Sequence, residues 1–131
     1  YLEFGTPHIA GHSLEGKARG TEILYKLICE RLNLPVEIKL EDLLPSMALD
    51  HMVVTDNYKL SQRQYRALIN LVYDIRNDDI YFRMGLAQNS ESFDRLRKEY
   101  SIRRELTSLN LTCDQSLFKT FTDLGFKTKL K

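Results

Sequence analysis

Two histidines stand four residues apart near the start of the chain, in the run Thr6-Pro7-His8-Ile9-Ala10-Gly11-His12. Imidazole titrates near neutral pH, so either ring can take a proton from a reacting hydroxyl and return it. Read without context, a single histidine beside a proline is more often a plain loop residue. Gly11 reads as a turn position needing positive φ. Lys17 and Arg19 could attract an anionic group such as phosphate, although a solvated helix face is the simpler reading. Arg95, Arg97, Lys98, Arg103 and Arg104 form a second basic cluster, interleaved with Asp94, Glu99 and Glu105. That mixture favours ion pairs along a helix over an anion site. Asp74, Asp78 and Asp79 lack the spacing of a metal loop and read as helix ends and caps. No Gly-x-Gly-x-x-Gly run occurs, so the usual dinucleotide phosphate loop is not expected in these residues.

The elements that must position these groups follow from punctuation and period. Residues 1–12 contain Gly5, Pro7 and Gly11 and read as a strand end followed by a loop. Ser13 is an N-cap candidate for a long helix to about Leu32, with Leu24, Leu27, Ile28 and Leu32 as its apolar stripe. Gly16 and Gly20 weaken its first turns and permit close approach of another backbone or a ligand. Val36 to Pro45 alternates in part and is either a strand or a linker that docks its apolar residues. His51 to Thr55 is a strand candidate, and Asp56-Asn57 a turn. Ser61-Gln62-Arg63-Gln64 matches a capping box. The helix behind it presents Tyr65, Leu68, Ile69, Val72 and Ile75, is interrupted at Asn77-Asp78-Asp79, and regains a turn that ends at Gly85. Ser90 to about Glu105 reads as a further helix, with Phe93, Leu96, Tyr100 and Ile102 inward and Arg95, Arg97, Lys98, Arg103 and Arg104 toward water. Leu109, Leu111 and Cys113 alternate as a half-buried strand, and Asp114 caps a helix that Gly125 stops. Phe126, Thr128 and Leu130 alternate with lysines, as on an edge strand. The expected fold class is therefore α+β: a small sheet of about three strands with helices on one face, in the order strand-helix-helix-strand-helix-strand, behind a long N-terminal helix.

With 131 residues, 43% hydrophobic and 28% charged, the chain has an ordinary globular composition. A net charge of +1 makes no case for nucleic acid or an anionic membrane as partner. No apolar run would span a bilayer, and the opening Tyr1-Leu2-Glu3 has no signal-peptide pattern. Cys29 and Cys113 are far apart, which suits free thiols in a cytoplasmic chain better than a disulfide or a metal pair.

The segment Thr6 to Gly11 resembles the histidine-bearing segment of the D-2-hydroxyacid dehydrogenases, enzymes that oxidise an alcohol beside a carboxylate. Continued through Leu14-Glu15-Gly16-Lys17-Ala18-Arg19-Gly20, it is similar to the branch of that family that acts on 4-phosphoerythronate in vitamin B6 synthesis. Leu71 to Asp79, and Phe93 to Tyr100 with Arg103-Arg104-Glu105 behind it, are similar to segments of the C-terminal domain of the same branch. Together the blocks span essentially the whole chain, in order. The resemblance implies a parent enzyme with a Rossmann-type α/β domain, NAD as cofactor, and oxidation of a phosphorylated hydroxy acid to 3-hydroxy-2-oxo-4-phosphobutanoate. It implies His8 as the catalytic acid/base and Gly11 close to the nicotinamide end of NAD. His12 sits where many relatives have Tyr; it would either donate to a substrate oxygen or face solvent. The orienting carboxylate and the substrate-binding arginine are expected upstream of Tyr1.

On this reading residues 1–12 end the nucleotide-binding domain, 13–33 form a connecting helix, 34–48 a linker, and 49–131 a C-terminal domain that builds a homodimer. The piece alone is expected neither to bind NAD nor to turn over substrate. Residues 1–12 are expected to be extended, mobile or held by a neighbouring chain, because they lack the domain they would pack against. The alternative is a free-standing α+β domain that binds a metabolite or another protein.

Overall fold

The computed structural model describes residues 3–55, 59–88 and 92–131. The expected Asp56-Asn57 turn, the start of a helix at Ser90, and any role of Tyr1 and Leu2 lie outside the described residues.

Three strands form one sheet in sequence order: β1 (His51–Val54), β2 (Asn110–Cys113) and β3 (Lys127–Leu130). Both pairings are parallel, with Met52, Leu111 and Thr128 in one row and Val54, Cys113 and Leu130 in another. Parallel neighbours need crossovers, and helices supply them. Helix α3 (Gln62–Val72) lies between β1 and β2 in the chain, and α6 (Gln115–Asp123) between β2 and β3. Their apolar sides meet on one face of the sheet. The core there is Val54, Leu68, Leu109, Leu111, Cys113, Leu117, Phe121 and Phe126. Phe121 is fully buried, with the rings of Tyr65 and Phe126 edge-on at 5.9 and 6.0 Å. The other face carries His51, Val53, Asn110, Thr112 and Lys129, a polar set apart from Val53. This is the α+β arrangement expected, with helices covering one side.

Local signals fall where chemistry places them. Ser61 and Gln64 exchange both bonds of a capping box at the head of α3. Gly125 ends α6 at φ 97°, a conformation costly for any other residue. Asp114 holds the N-cap position of α6, but its carboxylate pairs with Lys131 Nζ (3.2 Å) and makes no side-chain cap bond.

Four expectations need correction. The helix after Ser61 breaks at Tyr73-Asp74, before the three acidic and amide residues. Tyr73 is extended, and Asp74 Oδ1 takes the amide of Arg76 to start α4 (Ile75–Gln88). Asn77-Asp78-Asp79 therefore lies within a helix, and Gly85 is inside it too. A Cβ on Gly85 would stand 2.6 Å from Leu96 Cδ1, so glycine is there for close approach of α5 (Ser92–Lys98), not to end α4. Helix α5 stops at Lys98; Arg103 and Arg104 are off it, and neither is free in water. Finally, Val36 to Pro45 holds no strand: only the short α2 (Leu40–Leu43) is regular, and Val36, Ile38 and Leu43 are exposed instead of docked.

The long helix α1 (Leu14–Arg31) begins at its expected cap, Ser13. Its apolar stripe Leu24, Leu27, Ile28 and Leu32 is 54–62% exposed, leaving Cys29 as the buried apolar residue of that helix.

Candidate functional site

His8 stands on a loop whose two neighbours point inward: Pro7 is buried and Ile9 is 1% exposed, while His8 itself is exposed. The expectation that residues 1–12 would be extended, mobile or held by another chain does not survive for the described part. Ile9 is buried within its own chain, and the Gly5 amide donates to Asp79 Oδ1 at 2.7 Å. The C-terminal half supplies the polar groups that hold this segment, Asp79 and Arg103. His8 has φ 60°, the left-handed region. For a residue with a Cβ this conformation costs roughly 1–2 kcal/mol. Such strain persists where surrounding contacts over-determine it, and functional loops are where it collects.

Arg103 makes most of those contacts. Its Nη2 donates to Ala10 O (2.7 Å) and Ile9 O (3.3 Å), and its backbone carbonyl takes the amide of Leu14 (2.8 Å). The guanidinium lies over the Tyr73 ring, 4.5 Å from its centroid. Asp78 Oδ2 accepts from the hydroxyls of both Tyr73 (2.6 Å) and Tyr100 (2.8 Å). Burial first, and then the bond to the Asp78 carboxylate, push both phenols above their ordinary value, Tyr100 by a wide margin. The Tyr100 ring in turn meets His12 edge-on at 6.2 Å.

A second group ties the head of α1 to the residues just after Arg103. Ser13 Oγ accepts from Gly16 N and donates to Glu105 Oε1 at 2.7 Å. Gly16 matters here, since a Cβ would stand 2.6 Å from Ser13 Oγ; Gly20 has open space around it. Glu15, 4% exposed, accepts from Arg104 Nε (2.6 Å) and Glu105 N (3.0 Å). Arg104 also donates to Pro45 O at 2.6 Å. Burial pushes the Glu105 carboxyl up, yet the Ser13 hydroxyl and the Arg19 guanidinium (2.7 Å) hold it below the usual range. Arg19 is thus an ion-pair partner, while Lys17 is exposed.

His12 is half-buried. Desolvation first, and then the positive charges of Lys17, Arg97, Arg103 and His8, lower its pKa. It is the neutral ring that stands there at pH 7. Asp74 caps α4 and pairs with Arg76, as its type suggested. Asp78 and Asp79 instead tie α4 to tyrosines and to the N-terminal segment. Among the described residues no group of three His, Cys, Asp or Glu side chains could hold a metal ion. No helix among them is long and apolar enough to cross a membrane. Cys29 and Cys113 are buried and unpaired.

Two clefts flank this region. One of about 830 Å³ is walled by Pro7, Tyr73, Asp78, Phe82, Tyr100 and Arg103; the other, about 610 Å³, by Glu15, Arg19, Lys26, Lys39, Arg104 and Lys127. His8 and Gly11 line neither. Gly11 is not at the positive φ that the turn reading required, and a Cβ there would meet no atom within 4 Å, so the space beside its backbone is open. What the described residues hold is a strained, exposed imidazole on a braced loop, outside both of these clefts.

Sequence reasoning singled out His8, Gly11 and His12, and the structure keeps them on one loop. It missed Glu15, Asp78, Arg103, Arg104 and Glu105 as the groups that brace that loop. The side chains of Glu15, Arg103 and Glu105 find partners 86–94 residues away and Asp78 reaches Tyr100 22 residues on, and no local pattern announces such pairs.

The model of a family described as a domain of unknown function, DUF3410, matches residues 43–125. Over 125 residues, 95% of this chain, the sequence is 45% identical to an erythronate-4-phosphate dehydrogenase from Shewanella denitrificans, of which that match covers 33%. The erythronate-4-phosphate dehydrogenase of Photorhabdus laumondii is 43% identical over 98% of this chain, and that of Pseudoalteromonas translucida 37% over 96%. The chain spans about a third of the length of the curated relatives it matches. The resemblance read from the three sequence blocks is thereby borne out.

Proposed function

Since the chain belongs to the DUF3410 family and is similar over nearly its whole length to erythronate-4-phosphate dehydrogenases, we propose that it is the C-terminal portion of such an enzyme. The observation that carries this reading is the 45% identity over 95% of the chain, which takes in the His8 loop as well as the domain behind it. The parent would oxidise erythronate 4-phosphate at the carbon beside its carboxylate, giving 3-hydroxy-2-oxo-4-phosphobutanoate in the cytoplasm. NAD, the hydride acceptor in this family, would be held by a Rossmann-type domain in the part of the relatives that this chain does not span.

Within that reaction the residues here have a limited task. His8 takes the hydroxyl proton as the alcohol becomes a carbonyl, and returns it in the reverse direction. Its exposure suits this, because the ring is free to face a substrate supplied from outside the chain. His12, kept neutral by burial and surrounding cations, can donate one hydrogen bond to a substrate oxygen. Residues 49–131 would build a homodimer. Leu71, Ile80, Tyr81 and Met84 of α3 and α4 are 52–68% exposed, more apolar surface than solvent favours, and a two-fold pairing would cover it. The exposed stripe of α1 would pack against the upstream domain or the partner.

The test is an assay of the complete open reading frame with erythronate 4-phosphate and NAD, following nicotinamide reduction. Turnover is expected, with His8→Ala lowering it about a hundredfold or more. The 131 residues alone are expected to be inactive, and calorimetry should detect no NAD binding to them. Sedimentation at micromolar concentration should give a dimer. No reduction by the complete protein would remove the dehydrogenase reading and favour a metabolite-binding domain.

A further inference from the structure

We propose that Arg103 is a positioning residue for the proposed reaction: seated on Tyr73, it holds the Ile9 and Ala10 carbonyls and so sets where His8 presents its imidazole. The inference rests on the reading of His8 as the acid/base, and it adds a residue from the C-terminal domain to a site built mostly elsewhere.

The argument begins with strain. His8 at φ 60° is a conformation the chain would leave if the flanking residues were free. On the inner side the loop is anchored by the buried side chains of Pro7 and Ile9. The next two peptide groups are then fixed by one guanidinium, through Ile9 O and Ala10 O, while Leu14 N is fixed by the carbonyl of the same residue. Arg103 thus grips the loop on both sides of Gly11, with its side chain before it and its backbone after it. A Cβ at Gly11 would meet no atom within 4 Å, so no side-chain packing at that position holds the loop.

Arg103 is itself located. Its cation lies on the Tyr73 face, and the Tyr73 hydroxyl is tied to Asp78, which also receives Tyr100. The Tyr100 ring returns to the loop at His12. The brace is therefore closed: Asp78 to Tyr73 to Arg103 to Ala10, and Asp78 to Tyr100 to His12. A lysine could reach one carbonyl but could not stack flat on Tyr73 and bridge two oxygens, because it lacks the planar fork.

A double-mutant cycle in the complete enzyme tests this. Arg103→Met should lower kcat by about tenfold to a hundredfold, the scale on which a small misplacement of a reacting group acts. The KM for erythronate 4-phosphate should stay within about threefold, since substrate contacts are untouched. In a His8→Ala background the same substitution should change kcat less than about twofold, because the residue acts through His8. Equal losses in both backgrounds would show a general effect on the fold and overturn the proposal. Hydrogen exchange on the 131-residue chain gives a readout that does not depend on activity. The His12 amide, bonded to Ile9 O at 2.9 Å, should exchange about tenfold faster or more in Arg103→Met, while Leu111 and Thr112 in the central strand keep their rates. Unchanged exchange at His12, or equal acceleration everywhere, would refute the brace. If the methionine variant does not fold, Arg103→Lys carries both comparisons. If His8→Ala leaves turnover intact, the functional reading fails, and the exchange experiment alone decides whether Arg103 holds the loop.

Discussion

Replacing Glu15 by glutamine removes one negative charge from a site where the surroundings are arranged to need it. The carboxylate is 4% exposed and accepts two bonds, from Arg104 Nε at 2.6 Å and Glu105 N at 3.0 Å. The Arg104 side chain is 14% exposed, so water can take over only part of its charge, and its remaining bond goes to a neutral carbonyl, Pro45 O. Breaking a buried pair on one side typically costs about 3–5 kcal/mol. The glutamine oxygen can still accept from Glu105 N, which places the expected loss near the lower end, about 3 kcal/mol. With a urea m value of about 1.5–2 kcal/mol/M for a chain of this size, the midpoint should fall by roughly 1.5–2 M. A control sets the scale. Arg19 and Glu105 are also 2.7 Å apart, but their side chains are 51% and 32% exposed, so Arg19→Ala should cost about 1 kcal/mol or less. Removing both charges together, as Glu15→Leu with Arg104→Met, should recover most of the loss, because no orphaned charge is left. The assay is urea unfolding of the 131-residue chain by circular dichroism at constant m. A midpoint for Glu15→Gln within a few tenths of a molar of the parent chain would refute the reasoning. It would mean that α1 is not locked to the segment at Arg104 and Glu105 through this pair.

Three further outcomes are expected. Tyr73 and Tyr100 have raised pKa values, so the stability they contribute is full below their ordinary value of 10.0 and drains as pH rises above it. Ultraviolet titration should show two of the seven tyrosines ionising late, and Asp78→Asn should bring them back toward the rest. Gly85→Ala forces a Cβ to 2.6 Å from Leu96 and should destabilise by about 1–3 kcal/mol in thermal melts; a neutral result would mean that α4 and α5 are not packed as described. His8→Gly relieves the left-handed strain that His8→Ala retains, so the glycine variant should be the more stable of the two by roughly 1 kcal/mol, measured by urea midpoint. Equal stabilities would show that the loop is not held at positive φ.

The division between sequence and tertiary structure in this chain follows the range of the interactions. The caps at Ser13 and Ser61, the stop at Gly125 and the alternating strand through Leu111 and Cys113 were legible, because each depends on residues within a few positions of one another. The α+β class follows from their order, and the chemical promise of His8 from its residue type and its Thr-Pro-His setting. The break in the helix was misplaced. Asn77-Asp78-Asp79 carries the composition of a helix end, but Asp78 and Asp79 are held in α4 by bonds to Tyr100 and Gly5, 22 and 74 residues away. Gly85 read as a stop for the same reason: its need is set by Leu96, which local spacing does not place. Arg103 and Arg104 are the sharpest case. In sequence they sit in a mixed-charge run that suits a solvated helix. In the fold they leave the helix, pair with backbone and carboxylate groups around Ile9, Ala10 and Glu15, and turn an otherwise unsupported N-terminal segment into an ordered loop. A charge's partner is chosen by which surfaces the fold brings together, and that choice is made in three dimensions.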